Sequence, residues 1–459
     1  MYHEFHPNIL REYDIRGVVD ETLTESDSKA LGHLLGLKLK GNRVVNVGYD
    51  GRNSSVKIKN ALISGLIETG AYVKEIGLGP TPMLYFSCYK NEAELGIMVT
   101  GSHNPKNHNG FKIVMNNKPF FGIDILNLQN EAADYSINQA KGNFEKFYVK
   151  NIYSNFLKDA FNIDKIQNIA WDSGNGAAGE IIKTITSYLN GSQNLLFCEI
   201  DGNFPNHHPD PSEEKNLKDL KKSVLKNKCD FGIAFDGDGD RIGIVDNLGR
   251  TVPGDLILLL LAEDVLKSKK NASIIADVKC SQVVFERINN FGGKAIISKT
   301  GHSNIKLNMK KYNAVFAGEM SGHMFFADNY FGFDDALYAA VRFVNMMTKS
   351  NRKLSDIIDD LPKVFNTPEI RFFCEDEKKF EFIEKLKQKQ YDKKKEIIDL
   401  DGIRVNSEDG WWLMRASNTQ PSLVFRCEAK TRNKLHEIVN DLKKDVEDID
   451  KNIAKQILA

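Results

Sequence analysis

Val44-Val-Asn-Val-Gly-Tyr-Asp50 is an apolar run that ends on a carboxylate, followed at once by Gly51, Arg52 and the pair Ser54-Ser55. A run of that length bounded by turn residues reads as a buried strand. Ser54 and Ser55 then stand as caps for a helix whose Leu62, Ile63, Leu66 and Ile67 recur at helical spacing and which stops near Gly70. Tyr72 to Ile76 returns as a strand, and after Pro80-Thr-Pro82 and a further helical stretch Leu95 to Thr100 adds another. Repeated strand–helix–strand units imply a largely parallel sheet covered by helices.

The pattern restarts near Ile166, with a strand over Asn168 to Asp172, a Gly-rich turn and a helix from about Glu180, and again around Ala272 to Asp277. In open α/β sheets, ligands sit at the carboxyl ends of such strands. From Asn366 the strands Ile370 to Phe373, Gly410 to Met414 and Ser422 to Ala429 alternate with two Lys/Glu-rich helical stretches, which suggests a smaller α+β domain. Four domains follow, over 1–148, 149–250, 251–365 and 366–459.

Composition excludes several classes of function. Lys plus Arg and Asp plus Glu both number 62, which removes the global positive field of a non-specific nucleic-acid binder. The longest aliphatic run, Leu256 to Ala262, is far short of the ~20 residues a membrane helix needs, and Met1 to Pro7 shows no secretory pattern. Six scattered cysteines without a C-x-x-C pair suit a reducing cytoplasm. Trp411-Trp412 and Leu256 to Leu261 read as core, His207-His-Pro-Asp210 as a polar loop, and the lysines between Lys378 and Lys395 as a solvated helix face.

Four loops carry chemistry. In Phe231-Gly-Ile-Ala-Phe-Asp-Gly-Asp-Gly-Asp-Arg-Ile-Gly-Ile-Val245, two apolar runs flank a turn where Asp236, Asp238 and Asp240 alternate with glycines. Three such close carboxylates repel one another, and a hard divalent cation, with Mg²⁺ the natural choice, explains why they are gathered. An exposed acidic turn is the rival reading. An EF-hand fails, because Arg241 stands where the sharp-turn Gly belongs and Asn247 where the bidentate Glu does. Thr100-Gly-Ser-His-Asn-Pro105 displays Ser102 beside His103 at a strand end, which suits a nucleophile or phosphate carrier and does not match G-x-S-x-G. Gly318-Glu-Met-Ser-Gly-His323 mixes donors and acceptors of the kind sugar hydroxyls need. Arg415-Ala-Ser-Asn-Thr419 places an Arg fork beside hydroxyls and an amide, as a phosphate monoester requires, or is simply a hairpin turn.

A fifth segment points elsewhere. Gly174-Asn-Gly-Ala-Ala-Gly179 matches G-x-G-x-x-G, follows an expected strand, opens an expected helix and has Glu199 about 20 residues on. That pattern reads as an NAD-dependent dehydrogenase, but it leaves the aspartate loop, Ser102 and the Arg415 loop unexplained.

Taken in order, Arg11-Glu-Tyr-Asp-Ile-Arg-Gly17, Asp50-Gly-Arg52, Thr100 to Pro105, Asn109-Gly-Phe-Lys112, Asp236 to Arg241, Asp277-Val-Lys-Cys280, Thr300-Gly-His302, Gly318 to His323 and Arg415 to Thr419 resemble the α-D-phosphohexomutase superfamily, most closely its bacterial phosphomannomutase/phosphoglucomutase branch. The resemblance implies three similar α/β domains with mixed sheets and a fourth, α+β domain like the TATA-binding protein, all lining one central cleft. It implies that Ser102 carries a phosphoryl group and helps Asp236, Asp238 and Asp240 hold Mg²⁺. Glu319, Ser321 and His323 would grip sugar hydroxyls, while Arg415, Ser417, Asn418 and Thr419 hold the phosphate that is not reacting. Tyr13, Arg16, Lys112, Arg241, Lys279 and His302 match further cleft residues that contact phosphate or assist proton transfer, with Lys112, His302 and His323 as candidates for the proton work.

The activity expected is reversible transfer of phosphate between O1 and O6 of mannose and glucose phosphates, through a phosphoserine and a 1,6-bisphosphate, with glucose 1,6-bisphosphate or mannose 1,6-bisphosphate as activator. Phosphoglucosamine mutase is the alternative within the superfamily, where Gln usually stands at the place of Met320. The expected partners are small sugar phosphates, with no nucleic acid or membrane, for a cytoplasmic monomer or dimer.

Overall fold

The first sheet runs from edge to edge through Ile15–Val18, His108–Met115, Leu95–Val99, Val44–Tyr49, Tyr72–Leu78 and Asn143–Lys146, with Lys118–Pro119 paired to His108–Met115. The computed structural model describes residues 1–137, 141–163, 165–417 and 421–457. Leu95–Val99, Val44–Tyr49, Tyr72–Leu78 and Asn143–Lys146 are parallel neighbours, as the strand–helix–strand reading requires. His108–Met115 and Ile15–Val18 join antiparallel, so the sheet is mixed rather than largely parallel. After Val99 the chain turns back through residues 100–107. That is too short for the crossover a parallel return needs, roughly a dozen residues or more.

Ser54 stands at the N-cap of helix Ser55–Glu68, but its side chain makes no capping bond. The two hydroxyls instead accept from Asn109 Nδ2 at 2.9 and 3.0 Å, and Ser55 donates to the buried Asp50 at 2.5 Å. Both hydroxyls are thus committed to Asn109 and Asp50 rather than to the helix N–H groups, so the capping expectation fails here.

The second sheet orders Thr251–Val252, Ile242–Asp246, Phe231–Phe235, Ile169–Asp172 and Gln193–Leu196; the third orders Lys294–Ser298, Ser273–Asp277, Phe316–Gly318 and Met324–Phe326. Each combines parallel strands with an antiparallel hairpin at one side. The fourth sheet is wholly antiparallel, centred on Ser422–Ala429 and Gly410–Ala416 and packed by helices Asp376–Asp392 and Arg432–Glu447.

One continuous apolar cluster reaches from Ile76 to Leu361 across the first three sheets. Helix Gly254–Ser268 inserts Ile257 to Leu261 into it, each side chain gaining roughly 1.5–3 kcal/mol from burial. The fourth sheet has its own cluster, from Phe372 to Ile457, and Trp411 and Trp412 are buried as expected of core. Lys379 departs from the solvated-face reading: it is buried and its Nζ donates to the Ser417 carbonyl at 2.5 Å. That part of the helix packs on the sheet, and the long stem carries the amine to a backbone acceptor.

Candidate active site

Loops from all four sheets line one cleft of about 670 Å³. Ser102 lies beneath its floor, where the chain leaves Leu95–Val99. Its φ of +48° is the left-handed region, and its N–H is held by Thr100 Oγ1 at 2.8 Å. The Ser102 hydroxyl is 3.1 Å from Asp236 Oδ2 and 3.2 Å from His103 Nδ1.

Asp236, Asp238 and Asp240 sit on the turn between Phe231–Phe235 and Ile242–Asp246 and have no solvent exposure. Ligand oxygens from the three lie within 4.8 Å of one another. Backbone N–H groups of Asp240 and Arg241 donate to Asp236 Oδ1 at 3.0 and 3.1 Å, fixing the turn. Lys112 Nζ reaches Asp238 Oδ2 at 2.7 Å and also binds Asp240, and Thr81 Oγ1 donates to Asp238 Oδ2 at 2.5 Å. Burial, then the charges of Asp240 and Asp238, drive the Asp236 carboxyl well above the usual carboxylate range. Burial opposes the charged form of Asp240 as well, but Lys112 and His323 outweigh it and hold that carboxyl well below the range. Asp238 Oδ1 is buried with no hydrogen-bond partner. An all-oxygen donor set with a surplus of negative charge and an orphaned buried oxygen fits a hard divalent ion such as Mg²⁺. The exposed-turn reading fails with the burial.

The turn continues into the third sheet's loop. Arg241 pairs with His323 in an isolated antiparallel bridge, and the Ile242 N–H donates to the Gly322 carbonyl at 3.1 Å. His323 Nε2 faces Asp240 Oδ1 at 3.2 Å and Nδ1 faces Glu319 Oε2 at 3.0 Å, with Ser321 Oγ also 3.0 Å from Nδ1. Burial alone would lower the imidazole's pKa; Asp240 and Glu319 outweigh it and push it up to about 9. His302, whose ring stacks on His323 at 5.9 Å, goes the other way: burial, then Lys306 and Lys112, hold it well below the ordinary histidine value. Divergence of this kind between neighbouring groups is the pattern of an acid–base pair.

The remaining cleft cations meet carboxylates. Arg16 lies 2.6 Å from Asp14 and donates to Asn104 Oδ1 at 2.8 Å, Lys279 lies 3.4 Å from Glu369, and Arg415 lies 3.0 Å from Asp401. Tyr13 and Ser417 line the same cleft. Asn418 and Thr419 lie outside the described residues. Sequence reasoning overlooked Asp401 and Glu369, which hold Arg415 and Lys279, and Thr81, which holds Asp238. Pro80-Thr-Pro82 was a visible helix start, but nothing local tied it to a turn 157 residues away.

The glycine-rich turn at 174–179 offers no nucleotide crevice. A Cβ at Gly174 would meet Pro209 and His207 at 3.1–3.2 Å, and one at Gly176 would meet the Gly237 carbonyl at 2.9 Å. The space a pyrophosphate would enter is filled by the protein's own chain, including the aspartate turn, so the dehydrogenase reading is withdrawn. His207, read from sequence as part of a polar loop, pairs with Asp172 at 3.0 Å.

Comparison with known proteins agrees with this geometry. Residues 7–128, 146–249 and 253–365 match the phosphoglucomutase/phosphomannomutase alpha/beta/alpha domains I, II and III, and residues 369–445 match the C-terminal domain. The chain is 40% identical over 448 residues to a phosphomannomutase/phosphoglucomutase of Pseudomonas aeruginosa, covering 97% of both. It is 39% identical to a phosphoglucomutase of Neisseria gonorrhoeae, covering 96% of this chain and 97% of that one. A crystal structure of a phosphoglucomutase/phosphomannomutase family protein from Burkholderia thailandensis superposes with a TM-score of 0.91 at 34% identity, over 97% and 98% of the two chains. Sequence, domain order and fold thus converge, and the chain belongs to the phosphoglucomutase/phosphomannomutase family.

Proposed function

We propose that this protein is a phosphohexomutase that interconverts the 1- and 6-phosphates of mannose and glucose through a phosphorylated Ser102. The observation that carries the reading is the Ser102 hydroxyl 3.1 Å from Asp236, in a buried carboxylate trio under a cleft whose far wall bears Arg415. Mg²⁺ bound by Asp236, Asp238 and Asp240 beside Ser102 would supply the positive charge that offsets a seryl phosphate of about −1.5 to −2.

Phospho-Ser102 gives its phosphoryl group to O6 of a hexose 1-phosphate: the Ser102 Oγ–P bond breaks, the O6–P bond forms, a cleft base takes the O6 proton, and a cleft acid gives a proton to the departing Ser102 Oγ. Neutral His302 suits the base, and charged His323 and Lys112 suit proton donation and charge offset. Glu319, Ser321 and His323 grip the sugar hydroxyls, while Tyr13, Arg16, Lys279, Arg415, Ser417, Asn418 and Thr419 hold the idle phosphate. The 1,6-bisphosphate then turns end for end: the O1–P bond breaks, the Ser102 Oγ–P bond forms again, the Oγ proton goes to the cleft base, and O1 takes a proton from the cleft acid, leaving hexose 6-phosphate. Arg241 adds charge at the floor. The same bisphosphate, as activator, would charge an unphosphorylated enzyme. With its six cysteines free and buried, the protein suits a reducing cytoplasm, acting there as a monomer or dimer on small sugar phosphates alone.

Ser102→Ala tests the reading. Turnover of mannose 1-phosphate and of glucose 1-phosphate is expected to fall at least about 10⁴-fold with thermal unfolding unchanged, and intact mass after glucose 1,6-bisphosphate treatment should show one phosphate on the wild type and none on the variant. Near-normal turnover by the variant would reject the phosphoserine.

A further inference from the structure

Arg52 is buried beside the Ser102 loop, and every N–H of its guanidinium is used. Nε donates to Asp50 Oδ2 at 3.1 Å; Nη1 donates to the carbonyls of Pro105 at 2.6 Å and His108 at 3.0 Å; Nη2 donates to the carbonyls of Ser102 at 2.6 Å and Asn104 at 2.7 Å. Five donors are all that a guanidinium has. Four of them fall on carbonyls of one seven-residue stretch that begins at the nucleophile, and the fifth falls on a carboxylate that itself accepts from Thr100 Oγ1 at 2.8 Å and the Gly101 N–H at 3.2 Å. The side chain has no exposed surface. Gly101 is small because Arg52 lies against it: a Cβ there would sit 2.5 Å from Arg52 Cζ.

We infer that Arg52 is the positioning residue of the phosphoserine loop, holding Ser102 in its left-handed conformation so that Oγ stays aimed at the aspartate trio whether or not it is phosphorylated. The inference rests on the phosphoserine reading above. A loop that must accept a dianion, release it and accept it again has to keep its place while its charge changes. Backbone carbonyls clamped by a planar fork do that without offering the fork to the phosphate. Lysine cannot replace it, because an ammonium offers three donors from one point and cannot span four carbonyls and a carboxylate.

The test compares wild type, Arg52→Lys and Gly101→Ala, which disturbs the same contact from the other side. Thermal unfolding and calorimetric binding of glucose 1-phosphate identify the folded fraction and the integrity of the distal wall. Both variants are expected to lose about 100-fold in kcat with KM within twofold, since roughly 1 Å of misplacement costs that much. The rate at which glucose 1,6-bisphosphate phosphorylates Ser102, read by quenched intact mass, should fall by the same factor. Arg52→Lys with kcat within threefold of wild type per folded molecule, or a loss confined to KM, overturns the positioning role. If Arg52→Lys does not fold, Gly101→Ala decides by the same criteria. A wild type that never acquires phosphate on Ser102 instead overturns the reading on which the inference stands.

Discussion

The first three sheets share a large apolar core besides the polar contacts around the aspartate turn, and the joint between the third and fourth is mostly directional and polar. Buried side chains between Ile76 and Leu361, drawn from all three, share one cluster beside the first sheet's own, so the sheets carrying Ser102, the aspartate turn and the Glu319 loop cannot slide without opening voids. The fourth sheet keeps its own core and is pinned instead by two arginines and a glutamate. Arg404 donates to the Val278 and Cys280 carbonyls at 2.8 and 2.9 Å and lies 3.8 Å over the Trp411 ring. Arg426 donates to the Lys279 carbonyl at 2.6 Å, and Glu428 accepts from Ser281 Oγ and the Gln282 N–H, each at 3.0 Å. Among the described residues, Val278, Trp411 and Leu413 form a small apolar patch across that joint. The reacting end of the cleft is thus built into a common core, and the wall bearing Arg415 is hung on hydrogen bonds that meet the Lys279 loop. A rigid floor suits phosphoryl transfer, and an adjustable wall suits a bisphosphate that must turn over.

Arg415→Ala tests the wall most severely. KM for glucose 1-phosphate should rise about 100-fold, near 3 kcal/mol for a charge-assisted phosphate contact, with kcat within fivefold. A kcat loss at constant KM would place Arg415 with the floor and break the division.

Asp335 probes the common core. It caps helix Ala336–Lys349 through the Tyr338 N–H at 2.8 Å and accepts from the Tyr153 hydroxyl at 2.7 Å and from that of Tyr330. Burial pushes its carboxyl up to about 6. The unfolded value is about 3.9, so the native state holds an extra proton between these limits. This group's share of stability is therefore greatest below about pH 4 and declines as pH rises to 6. Urea unfolding of wild type relative to Asp335→Asn should lose on the order of 2–3 kcal/mol from about pH 4 to about pH 6.5. A flat difference would show that the carboxylate is better solvated than a common core allows.

Arg404→Met is the mildest of the three. Loss of its bonds to the 278–280 carbonyls should raise KM about tenfold, or about 1.4 kcal/mol, with kcat within twofold. An equal loss in kcat, measured by the same steady-state assay, would show that the joint steadies the floor as well as the wall.

Much of this architecture is legible in the residue order. Strand and helix periods place Val44–Tyr49, Tyr72–Leu78 and, in the fourth sheet, Ile370–Phe373, Gly410–Ala416 and Ser422–Ala429 within a few residues, because each period reports a local choice between a buried face and water, but they leave out Glu396–Ile398 and Ile403–Ser407. The acidic turn, the Ser102 loop and the Arg415 loop stand out because each breaks the expected economy of charge or hydroxyls in a turn. Other features look local and are not. Ser54 and Ser55 have cap chemistry but serve Asp50 and Asn109, Lys379 has a surface residue's composition but is buried, and Gly174 to Gly179 carries a nucleotide pattern in a place already filled.

Residue order alone thus settles which loops bear carboxylates, hydroxyls and cations, and where several of the strands run, since those depend on neighbours a few positions away. Folding in three dimensions settles that Ser102 meets Asp236 across 134 positions, that Asp401 and Glu369 hold Arg415 and Lys279, and that a buried guanidinium clamps the Ser102 loop. Such pairings are chosen by the packing of whole sheets and the cost of leaving buried charge unmet, summed over the entire chain, and no short window contains that sum.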